Sequence, residues 1–369
     1  MKATYRIIVG ALFLLFALTA CTGNDVPVPL QEESEMPICW NVQSASMGDS
    51  RALIEDDEAL QAACTPGSGG KAIGIWSAYE LDGEVTRNVL GEEGDVSLVY
   101  KVDTEDDNYE GWTYGEEAVL WTSGAKYTFN AYFPKDAIDI LPSSDITTFV
   151  ARYNTTTTQE DLMLAFTEVT TPVYPVPLQL HHALAALKFQ FRFGDGFTQV
   201  SDELTAFWME NTSEQGLCMQ GLLEFGIGGA GESLTWELEN SGYVEPGTPF
   251  YQWTDVNGLS ITTSTNNMAT AYTTGSYTEN NGWLLIIPQE SDGTVNLCFQ
   301  TKNGGDVVHR VRLPLTTGIN NIGRPDPNGT WFTPARRYTY NLVITPTTVK
   351  VTLGIADWNE LESSYDITF

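Results

Sequence analysis

What most constrains this chain is a long series of short runs in which apolar and polar residues alternate, with almost no helical periodicity between them. Residues 71–79 (KAIGIWSAY), 96–102, 126–133 (KYTFNAYF) and 184–193 (LAALKFQFRF) alternate in this way. So do 283–287, 295–301, 307–313 (VVHRVRL), 338–344 (YTYNLVI) and 348–355 (TVKVTLGI). The runs are rich in β-branched and aromatic residues and are bounded by Gly, Pro, Asn or Asp, the punctuation expected of strands. The one convincing helical stretch, 56–63 (DDEALQAA), is short. Strands in series without crossover helices predict an all-β chain of antiparallel sandwich type rather than βαβ units.

A chain of 369 residues is long enough for one large domain or two ordinary ones. Two stretches look alike. Trp121-Thr-Ser-Gly-Ala-Lys-Tyr127-Thr-Phe129 resembles Trp331-Phe-Thr-Pro-Ala-Arg-Arg-Tyr338-Thr-Tyr340, with the spacing differing by one residue. Each is an aromatic, a turn and a strand that opens Tyr-Thr-aromatic. They suggest two similar sandwiches, 36–174 and 175–369. The Pro-rich segment 171–177 (TPVYPVP) is the linker candidate, because proline cannot feed a central ladder.

The N-terminus reads as an export signal. Lys2 and Arg6 precede an apolar run at 7–18, too short for a membrane-spanning helix, which needs about 20 residues. Leu18-Thr19-Ala20-Cys21 then resembles a bacterial lipobox, in which Cys21 is acylated and becomes the new N-terminus after removal of 1–20. Residues 21–35 are polar, acidic and Pro-containing, as suits a tether.

The formal net charge of -30 argues against nucleic acid as a partner, since that needs a basic footprint. No motif carries catalytic chemistry: GxSxG, HExxH, the Walker loop and a strand-borne GxGxxG are all missing. No catalytic residue, metal ligand or cofactor is therefore assigned. His181 and His182 are adjacent, so in a strand they leave on opposite faces, and His309 alternates with valines as a structural histidine would. The acidic run 103–110 lacks the glycine and spacing of an EF-hand and reads as a solvated loop. Cys218 and Cys298 lie in apolar runs and read as small core residues, while disulfide pairing among Cys39, Cys64, Cys218 and Cys298 stays open. Trp76, Trp121, Trp283, Trp331 and Trp358 fall in or beside strand patterns and are expected to pack. Trp112 (YEGWTYG) and Trp253 (FYQWTD) sit in loop-like sequence and are the exposed candidates for stacking on a ligand.

The lipobox and acidic tether, Ser50-Arg51-Ala52, the 127–134 run YTFNAYFP and the 178–188 run LQLHHALAALK together resemble the fimbrillin family of Bacteroidetes. Leu284-Leu-Ile-Ile-Pro288, Arg337-Tyr-Thr-Tyr-Asn-Leu-Val-Ile344 and the 349–358 run VKVTLGIADW extend the resemblance over nearly the whole chain. It implies two tandem transthyretin-like antiparallel β-sandwich domains. It also implies a subunit of a surface pilus that is exported as a lipoprotein to the outer membrane. An arginine-specific protease then trims its N-terminal segment, and the groove so opened accepts a strand of a neighbouring pilin subunit, in a homo- or hetero-polymer.

Arg51 is the sole Lys or Arg between Cys21 and Lys71, so cleavage between Arg51 and Ala52 is the expected processing step. At the other end Tyr365, Ile367 and Phe369 alternate with polar residues, making the tail a candidate donor strand detached from its own sandwich; the bland reading is an edge strand of its own domain. Two other functions stay open at this point. One is a surface carbohydrate-binding lipoprotein that never polymerises, and a host or bacterial surface ligand stays open as a partner. The other is an exported hydrolase, for which no acid/base pair can be named.

Overall fold

A computed structural model describes residues 36–44, 56–67, 70–91, 95–102, 110–115, 118–141, 145–194, 201–214, 216–228, 231–264, 268–271, 282–289, 295–313, 318–319, 325–326, 332–345, 348–357 and 363–365. The first strands are β1 (Trp40–Ser44), β2 (Ile73–Leu81), β3 (Glu84–Arg87), β4 (Val96–Lys101), β5 (Gly111–Thr113), β6 (Lys126–Phe133), β7 (Asp139–Ile140) and β8 (Thr148–Asn154). Next come β9 (Met163–Val169), β10 (Val176–His182), β11 (Ala185–Phe193), β12 (Ser201–Asn211), β13 (Gln220–Gly228), β14 (Gly231–Leu238), β15 (Pro249–Thr262) and β16 (Ala269–Thr270). The last are β17 (Leu284–Ile286), β18 (Val295–Thr301), β19 (His309–Arg312), β20 (Gly318–Ile319), β21 (Pro325–Asp326), β22 (Arg336–Ile344), β23 (Val349–Asp357) and β24 (Ser363–Tyr365). An α-helix, α1 (Asp57–Cys64), follows β1. Asp56 caps it by accepting from the Ala59 N–H at 2.7 Å, and Leu60 and Cys64 turn one face inward. The all-β reading is borne out.

The first sheet has the order β1-β10-β9-β6-β2-β4-β5, with β3 joined to β2. The second is β16-β11-β22-β23-β24, with β17 on β11; the third is β15-β12-β18-β19. The second and third enclose one core around Phe189, Phe191, Phe207, Phe299 and Tyr340. The first sheet and α1 enclose another around Trp40, Phe129, Leu60 and Leu178.

A fourth sheet, β14-β13-β8-β7, departs from a chain of two separate halves. β7 and β8 precede residue 174, whereas β13 and β14 follow it, and β8 pairs with β13 from Asn154–Gln220 to Thr148–Gly226. Its inner face meets Tyr132 and Leu164 of the first sheet and Ala186 and Leu285 of the second in a shared third core.

The expected linker at 171–177 is corrected in the same region. β10 runs through Pro177 and belongs to the first sheet, parallel to β1. The Val176 N–H donates to Cys39 O at 2.7 Å, so the next residue's nitrogen faces away from β1. β9 pairs with β10 only at His181 and His182, so the proline nitrogen meets no ladder there. The chain crosses to the second sheet at Ala183 and Leu184, both fully buried. Ala183 N–H donates to Leu162 O (2.8 Å), Trp236 Nε1–H to Ala183 O (3.1 Å), and Ala335 N–H to Leu184 O (2.9 Å).

The internal likeness is real, and its one-residue offset disappears. The Tyr127 hydroxyl accepts from Thr122 N–H at 2.8 Å, and the Tyr338 hydroxyl accepts from Thr333 N–H at 3.0 Å. Trp121 stands edge-on to Tyr127 at 4.7 Å, and Phe332, not Trp331, stands edge-on to Tyr338 at 5.1 Å. Three residues before each tyrosine the backbone is left-handed, at Gly124 (φ 78°) and Ala335 (φ 56°). A side chain costs about 1–2 kcal/mol in that conformation. Gly124→Ala is therefore expected to destabilise by about 1 kcal/mol. Ala335→Gly is expected to gain less than about 1 kcal/mol, because the methyl it loses packs on the third core. Urea unfolding of both variants reads the signs; the same sign for both would mean that strain does not govern these corners.

Candidate functional site

The surface that stands out is the seat of the segment 36–44, which precedes Arg51 in the chain. Its first part bonds to one edge: Ile38 N–H donates to Val119 O at 2.8 Å, and Trp121 N–H donates to Met36 O at 3.0 Å. Its second part, β1, leaves that edge and pairs in parallel with β10 from Trp40–Val176 to Ser44–Leu180. Alternation then sets the faces: Trp40, Val42 and Ser44 point in, while Asn41 and Gln43 are exposed. The Trp40 ring stands edge-on to Phe129 at 5.0 Å and to Tyr114 at 6.1 Å. The Tyr114 hydroxyl donates to Ile38 O at 3.2 Å and accepts from Val119 N–H at 3.1 Å. Ser44 N–H donates to Asp57 Oδ1 at 2.6 Å, which ties the end of β1 to the first turn of α1.

If this segment were withdrawn, the first core would lose one wall. Two rows of backbone groups, at 119–121 and along β10, would lose partners, and the seat would become a template for another extended chain. Local sequence pattern does not show that this segment is held between two separate edges.

The Mfa_like_1 family profile, described as fimbrillin-like, matches residues 67–358. The chain belongs to the fimbrillin-like family. No curated protein matches it in sequence. A fimbrial protein from Bacteroides vulgatus shares its fold, with 13% identity, 88% of this chain and 99% of that chain covered, and a TM-score of 0.56. The tip fimbrial protein Mfa3 from Porphyromonas gingivalis matches at 13% identity over 78% of this chain and 94% of its own, with a TM-score of 0.35, too low to bear on the fold.

Several residues singled out in this fimbrillin-like sequence lie elsewhere than expected. Trp112 and Trp253 are not exposed loop residues. Trp112 sits in β5, packed against Tyr100 with ring centres 5.3 Å apart, and Trp253 sits in β15 within the sandwich core; both are buried. The tail is not detached along the part described: Ser363–Tyr365 form β24 and pair antiparallel with β23, from Ile355–Ser363 to Leu353–Tyr365. Cys21, Arg51, Ala52, Ile367 and Phe369 lie outside the described residues, as do Trp331, Trp358 and 103–109 of the acidic run. His182 is buried with its Nδ1 2.9 Å from Asp161 Oδ1, and His309 stacks on Phe299 at 4.9 Å.

Cys64, Cys218 and Cys298 are buried free thiols, so the disulfides that sequence left open do not form among them. Burial pushes the Cys64 thiol up to about 12, against the pull of Lys71, and pushes Cys298 up to about 12 with Glu210 adding to it. Neither is expected to alkylate in the folded precursor at pH 8, since thiolate is the reactive form. Cys64 shares the first core with Trp40 and Val42. Trimming that dislodges β1 is expected to raise its alkylation rate at least tenfold while leaving Cys298 inert, as read by mass spectrometry. Equal protection of Cys64 before and after trimming would mean that β1 stays seated.

Proposed function

We propose that this chain is a subunit of a cell-surface fimbria, exported as a lipoprotein through Cys21 and anchored in the outer membrane until it is trimmed between Arg51 and Ala52. A strand of a neighbouring pilin subunit then takes the place of β1. The observation that carries this reading is the seat of 36–44. A short segment upstream of Arg51 contributes an alternating apolar row to the first core and is bonded to two separate edges. Family membership supports a fimbrial or adhesive role and a non-catalytic one. The C-terminal tail remains the proposed donor, with Tyr365, Ile367 and Phe369 as its apolar face. Among the described residues its pairing at β24 spans three residues at the end of the sheet order, and an alternative partner strand would have to outcompete that hold.

The carbohydrate-binding alternative drew its residue-level support from Trp112 and Trp253, and their burial removes it.

The test treats purified precursor with an arginine-specific protease. Wild type is expected to yield a new N-terminus at Ala52 and then polymer visible by electron microscopy, whereas Arg51→Ala yields neither. Polymer whose subunits begin elsewhere, or Arg51→Ala that polymerises as wild type does, would reject the scheme.

A further inference from the structure

The two faces of the second sheet differ sharply in charge. Residues Phe189, Phe191, Tyr338, Tyr340, Val351 and Leu353 face the sandwich core. By strand alternation the opposite face carries Lys188, Gln190 and Arg192 on β11, Arg337 and Asn341 on β22, and Lys350 on β23. Register places these cations at two stations. Arg337 pairs with Ala186, one step from Lys188, and both cations lie over the Trp283 ring, Lys188 Nζ at 4.2 Å and Arg337 Cζ at 5.7 Å. Arg192 pairs with Val343, which pairs in turn with Lys350. Arg192 lies four positions on from Lys188, so the stations stand about 13 Å apart along the strand. Among the residues whose side chains are described, this face of β11, β22 and β23 bears no carboxylate.

That concentration is unusual for a chain with 18 basic and 48 acidic residues. A protein so acidic repels its own copies, and association then needs a place where opposite charges meet. We propose that this basic face docks against an acidic surface of a second copy of the chain. The inference rests on the fimbrial reading above and adds to strand replacement a second, electrostatic contact between subunits. One acidic counterpart is the β2–β3 hairpin, which presents Glu80, Asp82 and Glu84, all exposed, with β3 paired among the described residues to β2 alone. The hairpin belongs to the first sheet and the basic face to the second; repeated head to tail from copy to copy, the contact is heterologous and extends a filament unless its rotation closes a ring.

The experiment uses protease-trimmed full-length chain, wild type and Arg192→Glu/Lys350→Glu. These positions are chosen because they lie away from Trp283; Arg192→Gln/Lys350→Gln serves if the reversal fails to fold. A mixed 14N/15N preparation is cross-linked with a zero-length carbodiimide. Expected are cross-links between copies joining Lys188 or Lys350 to Asp or Glu, a polymerisation rate at least tenfold lower for the variant, and a wild-type rate that falls with salt. Charge reversal of Glu80, Asp82 and Glu84 to Lys in a partner copy is expected to restore the rate with the Arg192→Glu/Lys350→Glu copy. A variant that polymerises as wild type does overturns this inference alone. Trimmed wild type that stays monomeric overturns both this inference and the fimbrial reading. Heparin binding that the variant loses, with polymerisation unchanged, reassigns the face to a soluble polyanion and overturns docking of a second copy.

Discussion

Trp40→Ala is expected to destabilise the untrimmed subunit by about 3 kcal/mol and to leave the trimmed subunit unchanged. Replacing a buried Trp by Ala costs about 3–5 kcal/mol through lost transfer energy and the cavity left behind. Trp40 is 6% exposed and fills the space beside Phe129 and Tyr114. The lower end of that range applies because the Trp40 Nε1–H is buried without a hydrogen-bond partner among the described residues, and an unsatisfied donor already costs about 1–3 kcal/mol. The loss falls on the attachment of β1, so the equilibrium between seated and released segment should shift about 100-fold towards release, at ~1.4 kcal/mol per tenfold. Untrimmed Trp40→Ala should then alkylate at Cys64 faster than wild type. Urea unfolding of both forms, before and after protease, gives the comparison. An equal loss in the trimmed subunit would mean that β1 had not left.

Phe189→Ala should lower the unfolding midpoint of the whole chain by about 6 °C, in one transition. Phe189 is fully buried, stacks on Tyr340 at 5.3 Å and tilts against Phe207 at 5.0 Å. Its loss is again worth about 3–5 kcal/mol, at about 1.5 °C per kcal/mol when the whole chain unfolds as one unit with an entropy of about 2 cal/mol/K per residue. A pair of independent sandwiches would give two transitions, with the first-sheet transition unmoved. One transition is expected because the β8–β13 ladder and the third core belong to both ends of the chain, and neither end can keep them once the other unfolds. Calorimetry that resolved two peaks, one at its wild-type position, would show that the fourth sheet does not couple them.

The parts of the fold legible in the sequence are those where alternation is unbroken. KYTFNAYF at 126–133 and VNLCFQT at 295–301 coincide with β6 and β18. What was missed has a physical cause in each case. β12 and β15 pair through register shifts between Leu204 and Ala206 and between Phe207 and Met209, and each shift inverts the inside-outside parity that alternation relies on. Tyr251 adds a left-handed backbone (φ 47°) within β15, so FYQWTD reads as a loop although Trp253 is core. Trp112 occupies a three-residue strand, too short to show a period. Pro172, Pro175 and Pro177 suggested a linker, and for Pro177, inside β10, the reason is that sequence does not reveal which side of a strand lacks a neighbour. The seat of 36–44 depends on contacts with 119–121 and 176–180, distances along the chain at which local pattern is silent.

The crossing at Ala183 and Leu184 bears on how a filament of such subunits would carry load. In many multidomain chains the connection is a solvated hinge, and thermal bending concentrates there. Here the two residues are sealed in the third core, and the carbonyl oxygens and the Ala183 amide that would have to swing are already bonded to Leu162, Trp236 and Ala335. Tension applied at opposite ends of the subunit passes through a clamped joint that cannot lengthen without breaking the core around it. Compliance in the assembled fibre would then reside between subunits, so its bending stiffness would be set by the strand that replaces β1 and by what reinforces it.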